Sequence, residues 1–597
     1  MKPLCPVLLT LLAALAVPAP AASPALAASP SPFLREQAGS PVAWLAWDPA
    51  TVNRAAADGR PVYVFFGSFL NELSRATCRQ TFANPDVAAF LNATFLCVLV
   101  DRDEQPEIAA AVQHYLRIVK QTDGWPAHLW LTPDFQPYDG AGYLPPSEEW
   151  GKPGFLKVAH QAADAWTASP KNCRARAADA IATMNAPPEA LPSGPDGKLE
   201  AKLTEAADTW RGTLDATNGG FGSAPRTAEP ELLSFLLRRT PADRDAALVT
   251  LRAATNGALR DPLDGGFFAR ATDAAWHLPY LQKTLADQAR IALAALDAAR
   301  VAHDAAAART ARGALDYALA RLALPGGGFA LAEDATADET AGYYGWTAAE
   351  IEAVLGPAAA AFEQAYAVQA AGNIPADDDP AGHFKGRNFL RRATPPGDAA
   401  AEASLEASAA RLRAARDRRP APQRDDRATA GAHGLMLAAL ARAGGQLGEA
   451  RYLKAAEELF QWVQKELVAS PEGELRRLRG VSGAAAPGDY TALAVGCREL
   501  ARTGKHPEAD ALAAKLLARA AAVYFDAAHG RYYAAPAALP PGLFVRAPAL
   551  GDPLAPEALA LLAGAPPEQA DPLTRGLTAT LEAGTPAPGE VLLALSR

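Results

Sequence analysis

Cysteine is scarce in this sequence, with 5 among 597 residues, and no two of them form a Cys-x-x-Cys pair. A chain that lacks such a pair cannot carry out intramolecular dithiol–disulfide exchange, because the reaction needs two neighbouring thiols. Four cysteines remain beyond the N-terminal region: Cys78, Cys97, Cys173 and Cys497. Because they are far apart in sequence, we expect four unpaired thiols rather than the dense disulfide framework of a small secreted fold.

A basic surface, a metal-ligand pattern and a long apolar run are also missing. The formal net charge is −9 and the basic residues are scattered, which gives no footprint for nucleic acid. No Cys or His pair has the spacing of zinc ligands, so we expect no metal and no cofactor. Beyond the N-terminal segment, no apolar stretch approaches the roughly 20 residues that cross a bilayer. We therefore expect no membrane span once that segment is removed.

The N-terminal segment has the layout of a signal peptide. Lys2 supplies a positive charge, and Val7 to Val17 form an apolar run of suitable length. Ala25-Leu26-Ala27 has the small residues of a cleavage site, and Pro20-Ala21-Ala22 is the alternative site. We predict that residues 1–27 are a signal peptide and that the protein is exported to the periplasm or secreted. The alternative is an uncleaved anchor, for which the apolar run is short.

Residues 31–175 have the alternating pattern of an α/β domain. Pro61 to Phe66 is almost continuously apolar, as expected for a strand that is covered on both faces. Asn84-Pro85-Asp86 predicts the start of a helix, since Asn is a good N-cap and Pro fits the first helical position. Further strands are predicted at 95–100 and 128–132, with an edge strand near Tyr143. This order of elements is that of thioredoxin.

The tripeptide Gly124-Trp125-Pro126 stands just before the third predicted strand. In thioredoxin-like folds a cis proline at this place faces the active-site helix, which makes Pro126 the cis-proline candidate. Cis bonds are only about 5–6% of X-Pro bonds, so the prediction depends on position, and a trans turn proline is the alternative.

The rest of the chain is predicted to be helical. Residues 186–197 form a linker rich in proline and glycine, and residues 198–597 have apolar positions at helical spacing. A Gly-Gly-aromatic signature recurs at Gly219-Gly220-Phe221, Gly265-Gly266-Phe267 and Gly327-Gly328-Phe329, with a weaker copy at Gly530-Arg531-Tyr532. The uneven intervals exclude a strict solenoid. Repeated helical hairpins of this kind predict an α/α toroid with a funnel where the loops meet.

Motifs in both halves resemble the spermatogenesis-associated thioredoxin-like family. In the first half they are Ser31-Pro32-Phe33-Leu34, Pro41-Val42-Ala43-Trp44 and Gly124-Trp125-Pro126, and in the second half they include Gly219 to Pro225 and Gly382 to Asn388. The resemblance implies a thioredoxin-like domain followed by a six-hairpin barrel similar to those of sugar epimerases and glycoside hydrolases. It implies an architecture more firmly than a reaction, because one fold serves many functions.

This chain departs from the family at positions that chemistry would need. The family pattern has Cys-His-x-Cys in the first helix after Gly67, and here Asn71 and Ser74 occupy the two cysteine positions. Gln282 stands where the family has Glu, which removes a group that could act as a general acid or base. Ala335-Thr336-Ala337 replaces an acidic run. Ala432-His433 replaces Trp-Asn, so an aromatic ring that could stack on a sugar is lost.

Carboxylates and aromatic residues remain in the loops predicted to form the funnel. Glycosidases need two carboxyl groups about 5–9.5 Å apart. The alternative is structural, since tryptophans pack cores and aspartates cap helices and turns. The residues expected to contact a ligand are Trp276, Lys283, Asp287, Asp334, Trp346, Asp425 and His433.

Two functions compete on this basis. The first is an exported, non-redox protein that binds a carbohydrate or peptide in the toroid funnel, with the thioredoxin-like domain as a scaffold. The second is a sugar-active enzyme, a hydrolase or epimerase, that uses the surviving carboxylates. A thiol oxidoreductase is the least favoured class, because the thiol pair is absent. The missing glutamate and aromatic residue favour the binding protein.

Overall fold

The computed structural model describes most of the chain in two compact units. The described residues are 23–186, 191, 197–334, 342–394, 397–481, 483–549, 554–582 and 584–597. The first unit holds the described residues up to Gly67, together with Leu73–Asp101 and Gly124–Ala177. The second unit holds Ser68–Glu72, Arg102–Asp123 and the described residues from Ala178 onward. Most of the predicted signal peptide, most of the predicted linker and Ala335-Thr336-Ala337 lie outside the described residues.

The first unit is built on a five-stranded sheet in the order β1-β3-β2-β4-β5. The strands are β1 (Leu45–Ala46), β2 (Val62–Gly67), β3 (Leu96–Asp101), β4 (Ala127–Leu131) and β5 (Pro137–Ala141). β2 runs parallel to β3 and antiparallel to β4, and Val64 lies opposite both Val98 and Leu129. Every residue of β2, β3 and β4 is buried, as their continuous apolar runs predict. The fold is thioredoxin-like.

The helices of this unit begin largely where the sequence predicts. Asn84 accepts hydrogen bonds from the backbone N–H groups of Asp86 and Val87, with Pro85 at the first position of its helix. The peptide bond between Trp125 and Pro126 is cis. The helices and helical turns that lie wholly or partly in the unit are Pro24–Ala27, Pro32–Glu36, Pro49–Asp58, Glu72–Thr77, Cys78–Phe82, Pro85–Thr94, Phe155–Ala168 and Pro170–Met184.

The edge strand is displaced from its predicted place. The sequence predicts it near Tyr143, whereas the structure has it at Pro137–Ala141. The turn before it is tighter than expected, because the N–H groups of Phe135 and Gln136 both bond to Thr132, the first to its carbonyl oxygen and the second to its hydroxyl. The chain therefore returns to the sheet earlier than the prediction allows.

Twelve helices of the second unit form a double ring. The inner helices are Pro230–Leu236, Leu285–Val301, Ala430–Leu447, Pro487–Ala501, Pro556–Leu562 and Gly589–Leu595. Each packs on the next, and the last packs on the first, so the ring is closed. The outer helices are Leu199–Gly212, Pro241–Asn256, Ala305–Tyr317, Ala450–Glu466, Pro507–Tyr524 and Pro567–Ala579. Inner and outer helices alternate along the chain, which is the arrangement of an α/α toroid.

The Gly-Gly-aromatic motifs form the turns that lead from outer helices to inner helices. Phe221, Phe267 and Phe329 each close a short antiparallel bridge in such a turn and are buried. Gly327 and Gly328 have φ angles of 94° and 73°, and a Cβ atom on either would lie 2.6 Å from the indole of Trp462. Only glycine combines this backbone conformation with so close an approach, which explains the doubled glycine of that turn.

A segment inserted between Tyr317 and Ala430 adds further helices and a small sheet. Its helices are Ala348–Leu355, Ala359–Ala365 and Ala399–Arg416, with short helical turns at Ala318–Leu322 and Gly356–Ala358. The sheet joins β6 (Gln282–Thr284), β7 (Ala332–Asp334) and β8 (Gln423–Asp425). β9 (Phe525–Asp526) and β10 (Arg531–Tyr532) form a separate hairpin. The remaining helix, Pro106–Val119, belongs to the second unit. Within the described residues, no helix combines the length and apolarity needed to cross a membrane.

Candidate functional site

Asn71 and Ser74, where the family resemblance predicts cysteines, stand at a helix start. Asn71 immediately precedes the helix Glu72–Thr77, and its N–H group donates to the carbonyl oxygen of Ser68 at 3.2 Å. Ser74 lies within that helix and is fully buried. Neither side chain contains sulfur, so this helix start cannot form the thiolate that disulfide exchange requires.

The cysteines of the chain are buried thiols. Cys78, Cys97, Cys173 and Cys497 are all free and buried. Burial raises the pKa of Cys97 to about 12 and that of Cys78 and Cys497 further still. Since the thiolate is the reactive form, these three thiols are inert at neutral pH.

Three of the seven predicted ligand residues meet in the sheet β6–β8. Lys283 lies in β6, Asp334 in β7 opposite Gln282, and Asp425 in β8 opposite Ala332. All three are at least 97% buried. The short strands thus bring together residues that are as much as 142 positions apart, but they turn the side chains into packed surroundings rather than toward an open funnel.

Lys283 is the centre of a buried ion cluster. Its Nζ atom donates to Asp261 at 2.9 Å and to Asp264 at 3.0 Å. Arg416 donates to the same two carboxylates at 2.5 and 2.7 Å. Burial alone would raise the pKa of Asp261, but Arg416 and Lys283 outweigh burial and hold it well below its usual range.

Aromatic rings complete the enclosure of this lysine. The Nζ atom of Lys283 lies 4.7 Å from the ring centres of Phe268 and Tyr317 and 4.8 Å from that of Tyr344. Contacts of this kind attract a cation through the negative face of the ring. Lys283 is 0% exposed, so its charge is satisfied entirely by neighbouring protein groups.

Asp425 and Asp287 also have partners within the protein. Asp425 forms a two-pronged ion pair with the guanidinium of Arg427, with N–O distances of 2.6 to 3.1 Å. Asp287 lies in the first turn of an inner helix and accepts a hydrogen bond from the Thr284 hydroxyl at 2.7 Å. Burial raises the pKa of Asp287, and the Thr284 hydrogen bond and nearby Arg290 only partly oppose that effect.

His433 acts as a brace for one of the glycine turns. Its Nε2 atom accepts from the N–H of Phe329 at 2.8 Å, so Nδ1 carries the proton that is donated to the Thr429 carbonyl at 2.7 Å. The imidazole stacks on the indole of Trp462 with 4.8 Å between ring centres. Burial lowers the pKa of His433 to about 4. The residue is therefore neutral at pH 7.

The two predicted tryptophans are packed inside the protein. The indole N–H of Trp276 donates to the Asn218 carbonyl at 3.1 Å, and the ring lies against Gly220 while the Cβ atom lies against Gly257. Trp346 is 1% exposed, and the guanidinium of Arg419 lies 3.8 Å from its ring centre. Neither ring presents a free face for stacking on a sugar.

The axis of the toroid is narrow and charged. All six inner helices line a cavity of about 70 Å³, well below the roughly 300–1,000 Å³ of small-molecule sites. At the N-terminal ends of the inner helices, Arg290 lies 3.3 Å from Glu231. Burial raises the pKa of Glu590, and neighbouring Glu231 adds to the rise. Asp287 and Glu590 are thus two carboxyl groups with raised pKa values at one end of the axis.

A larger polar cavity lies beside the N-terminal end of the inner helix Pro487–Ala501. Its volume is about 240 Å³, and its polar lining includes Glu104, Gln105, Glu107 and Arg477. Its apolar lining includes Leu478, Val481, Tyr524, Pro536 and Pro540. This volume is also below the roughly 300–1,000 Å³ of small-molecule sites, but apolar walls with a few convergent polar groups are typical of such sites.

Charged residues fix the floor of this polar cavity. Arg477 donates to Asp489 at 2.6 Å and to the carbonyl oxygen of Asp103 at 2.9 Å. Asp489 also accepts from the N–H of Gly431 at 3.0 Å. Burial raises the pKa of Glu107; Arg477 opposes the rise and Asp489 adds to it. Glu107 therefore combines a raised pKa with a position in the cavity wall.

The sequence reasoning did not single out Glu107, Arg477, Glu231 or Glu590. Three of them follow a helix-starting residue, in Pro106-Glu107, Pro230-Glu231 and Gly589-Glu590. An acidic residue in a first helical turn ordinarily complements the helix dipole, so the pattern gives no sign of a site. Glu231 and Glu590 occupy the same position in the first turn of two inner helices. This repetition was the sequence signal from which the acidic end of the axis could have been predicted.

One group of side chains has the geometry of a metal site. Ligand atoms of Asp273, His277 and Asp378 lie within 4.8 Å of one another. The His277 Nδ1 atom is 3.2 Å from Asp378, and Asp273 accepts from the N–H groups of Ala275, His277 and Leu278. These contacts account for the arrangement as a hydrogen-bonded turn with a histidine–carboxylate contact.

Sequence comparison relates the chain to one family model and to several mammalian proteins. Residues 23–185 match the model of the Thioredox_DsbH family, described as a protein of unknown function, DUF255. Spermatogenesis-associated protein 20 of Mus musculus is 28% identical over 486 residues, which are 75% of this chain and 61% of the mouse protein. The Homo sapiens protein is 28% identical over 493 residues, 75% of this chain and 62% of that protein. The chain is thus similar to the spermatogenesis-associated thioredoxin-like proteins over three quarters of its length. It spans less than two thirds of the length of these mammalian relatives.

Solved structures of carbohydrate enzymes are also similar to this chain. Cellobiose 2-epimerase from Bacillus thermoamylovorans is 8% identical, with a TM-score of 0.40 over 63% of this chain and 85% of the epimerase. Unsaturated glucuronyl hydrolase from Bacillus sp. GL1 is 11% identical, with a TM-score of 0.34 over 67% of this chain and 82% of the hydrolase. The toroid assignment above depends on the closed ring of helices itself.

Two glutamines near the start of the inner helix Leu285–Val301 have structural roles. Gln282, in place of the family's glutamate, donates to the carbonyl oxygen of Leu70 at 2.7 Å. Gln288 donates to the Phe267 carbonyl at 2.8 Å and accepts from the Phe267 N–H at 2.7 Å. Both amides are therefore used to hold loops, a role for which a neutral side chain with donor and acceptor is suited.

Proposed function

We propose that the protein is an exported, non-redox binding protein whose ligand is a carbohydrate or a peptide held at the loop end of the toroid. The observation that carries this proposal is the polar cavity beside Glu107 and Arg477, in a chain whose thiols are buried and unpaired. Asn71 and Ser74 stand where the family resemblance predicts cysteines, which supports a binding role over thiol chemistry.

The absence of redox activity can be tested directly. The wild-type protein is expected to reduce insulin no faster than free thiol does. Asn71→Cys with Ser74→Cys should create a pair at a helix start, where the dipole lowers the pKa of the first thiol. Turnover by the wild type that survives Cys78→Ala would contradict a non-redox role.

The cavity suits a neutral, hydroxyl- or amide-rich ligand. Arg477 offers N–H donors and Glu104 and Glu107 offer carboxyl oxygens, while Leu478 and Tyr524 supply apolar surface. Sugars and peptides both combine donors, acceptors and apolar patches at this scale. A protonated Glu107 could act as donor or acceptor, because a carboxylic acid has one O–H and a carbonyl oxygen.

The ligand site is tested by thermal-shift screening of the mature protein against neutral oligosaccharides and tripeptides. Hits are then measured by calorimetry with Glu107→Gln, which keeps the shape but changes the hydrogen-bonding pattern. We expect roughly tenfold weaker binding, or about 1.4 kcal/mol. Glu568→Gln is the matched control, since Glu568 also follows the first proline of a helix but is exposed. Equal affinity of wild type and Glu107→Gln for all hits would place the site elsewhere.

Export is proposed from the N-terminal segment alone. Leu26, inside one of the two predicted cleavage sites, is fully buried in the first unit. Cleavage at the alternative site, Pro20-Ala21-Ala22, would leave this packing intact, and we favour it for that reason. N-terminal sequencing of the protein recovered from the periplasm or medium tests both the export and the position.

A sugar-active enzyme is the second candidate, and one observation favours it. Asp287 and Glu590 share one end of the toroid axis, and burial raises the pKa of both. A general acid needs a raised pKa of this kind. Loss of a sugar-converting activity in both Asp287→Asn and Glu590→Gln, with folding retained, would support the enzyme over the binding protein.

A further inference from the structure

The outer face of the toroid has a second cleft, separate from the polar cavity. Its volume is about 630 Å³. It is lined by the outer helices Pro241–Asn256 and Ala305–Tyr317 and by the inserted helix Ala399–Arg416. This volume falls within the roughly 300–1,000 Å³ range of small-molecule sites.

Four arginines line the cleft, and they fall into two kinds. Arg252 pairs with Asp304 at 2.9 Å, and Arg392 pairs with Glu402 at 2.6 Å. Within the described part of the chain, the guanidinium groups of the other two, Arg260 and Arg309, form no hydrogen bond or ion pair. The cleft therefore contains two guanidinium groups that no carboxylate contacts directly, although Glu406 also lines it and Glu402 attracts Arg309 at longer range.

Arg260 is held where an unpaired cation is costly. Its Nε atom is buried without a partner, and its Nη2 atom lies against Gly313, where a Cβ atom would be 3.3 Å away. Burial lowers the pKa of Arg260; Tyr366 and the carboxylates of Asp261 and Asp264 oppose this, and Arg309 adds to it. Buried polar atoms in proteins are ordinarily hydrogen-bonded, so an anion bound here would contact a half-buried guanidinium whose Nε has no partner.

The rest of the lining indicates what kind of anion fits. The Thr310 hydroxyl donates to the Ala306 carbonyl at 3.1 Å and lies 3.5 Å from the Thr255 hydroxyl. The Thr255 hydroxyl can therefore donate to an oxyanion in the cleft. Leu248, Leu251, Leu390 and Leu405 give the remaining wall an apolar character. Planar guanidinium groups match the oxygens of carboxylate and phosphate.

We propose that this cleft binds a small molecule that carries an oxyanion, a carboxylate or phosphate, on an apolar body, with Arg260 and Arg309 pairing its charge. The site goes beyond the proposed carbohydrate or peptide site and shares no lining residue with it. An anion here would bridge the inserted helix and two outer helices, so its binding stabilises the toroid.

The experiment measures Tm of the full chain at matched ionic strength in chloride, inorganic phosphate and hexanoate. We expect Tm to rise by roughly 2 °C or more in at least one oxyanion over chloride, because binding to the folded state stabilises it. The larger rise distinguishes a phosphate-bearing from a carboxylate-bearing ligand. No rise in either oxyanion would overturn the proposal.

Variants separate the cleft from general salt effects. Arg309→Ala should abolish the oxyanion-dependent rise while leaving Tm in chloride nearly unchanged, since Arg309 is exposed and unpaired. Arg260→Met should raise Tm in chloride and also abolish the rise, because it removes an unpaired buried cation. Arg413→Ala, an exposed arginine of the same inserted helix, is the control and should keep the full rise. A rise retained in Arg309→Ala and Arg260→Met would refute the site, and so would a rise lost in Arg413→Ala.

Discussion

Replacing Lys283 by methionine separates a structural role from a ligand role. Methionine keeps most of the length of lysine but removes the charge and both charge-assisted hydrogen bonds to Asp261 and Asp264. Each such bond contributes about 1.5–3 kcal/mol, and breaking a buried ion pair costs about 3–5 kcal/mol. Arg416 alone would then face two buried carboxylates. We expect Lys283→Met to lower the free energy of unfolding by about 3–5 kcal/mol.

Urea titration at pH 7, followed by circular dichroism and fluorescence, measures this loss. With a denaturant slope of about 3 kcal/mol per molar, the midpoint of the toroid transition should fall by about 1–1.7 M. Two probes are needed because the chain has two units and need not unfold in one step. Lys454→Met is the control: Lys454 is exposed and pairs with Glu458 at 3.6 Å, and an exposed pair of this kind contributes roughly 0.3–0.5 kcal/mol.

The outcome that would refute this reasoning is simple to state. If Lys283→Met shifts the midpoint no more than Lys454→Met does, the cluster of Lys283, Asp261 and Asp264 contributes nothing to stability. A ligand role would then gain support if the same variant lost affinity for a molecule found by screening. If Lys283→Met is strongly destabilised and its ligand affinity at low urea is unchanged, the residue is structural.

Two further predictions concern titratable groups. Burial lowers the pKa of His433 to about 4 from about 6.5, so the unfolded chain binds a proton between these values that the folded chain does not. Stability should fall by about 3 kcal/mol as pH drops from 6.5 to 4, and urea titrations of His433→Gln should show a smaller fall; an unchanged pH dependence would be the contrary result. Maleimide should leave Cys78, Cys97 and Cys497 unlabelled until urea unfolds the chain, and rapid native labelling would contradict their burial.

Elements with a local signal could be predicted from the sequence. The apolar runs at Val62–Gly67 and Leu96–Asp101 predict buried strands, and Asn84 with Pro85 predicts a helix start, because these signals depend only on neighbouring residues. The toroid could be predicted because the Gly-Gly-aromatic turns recur. The edge strand at Pro137–Ala141 could not be placed, because the hydrogen bonds that tighten its turn are made by Thr132.

The candidate site depends on contacts that have no local signal. Arg416 and Asp261 are separated by 155 positions. No residue near Lys283 in sequence indicates that either of them is its neighbour in the fold. A lysine and aspartates in funnel loops suggest ligand contacts when their partners are unknown. The same holds for His433, whose partner Phe329 is 104 positions away. Ligand binding by Lys283 and His433 therefore remains a prediction from the sequence pattern. Their hydrogen bonds within the protein could be found only from the tertiary structure.

Closure of the inner ring has a consequence for how the protein is made. The helix Gly589–Leu595 packs on Pro230–Leu236, and a Cβ atom on Gly589 would lie 2.5 Å from the backbone nitrogen of Leu232. More than 350 residues separate the two helices in sequence. The first inner helix therefore emerges from the ribosome before the last one has been synthesised. Until then Leu232 and its neighbours are an exposed apolar surface, a state that invites aggregation or chaperone capture. The toroid of a chain that crosses a membrane during its synthesis would close only after the last helix has been exported.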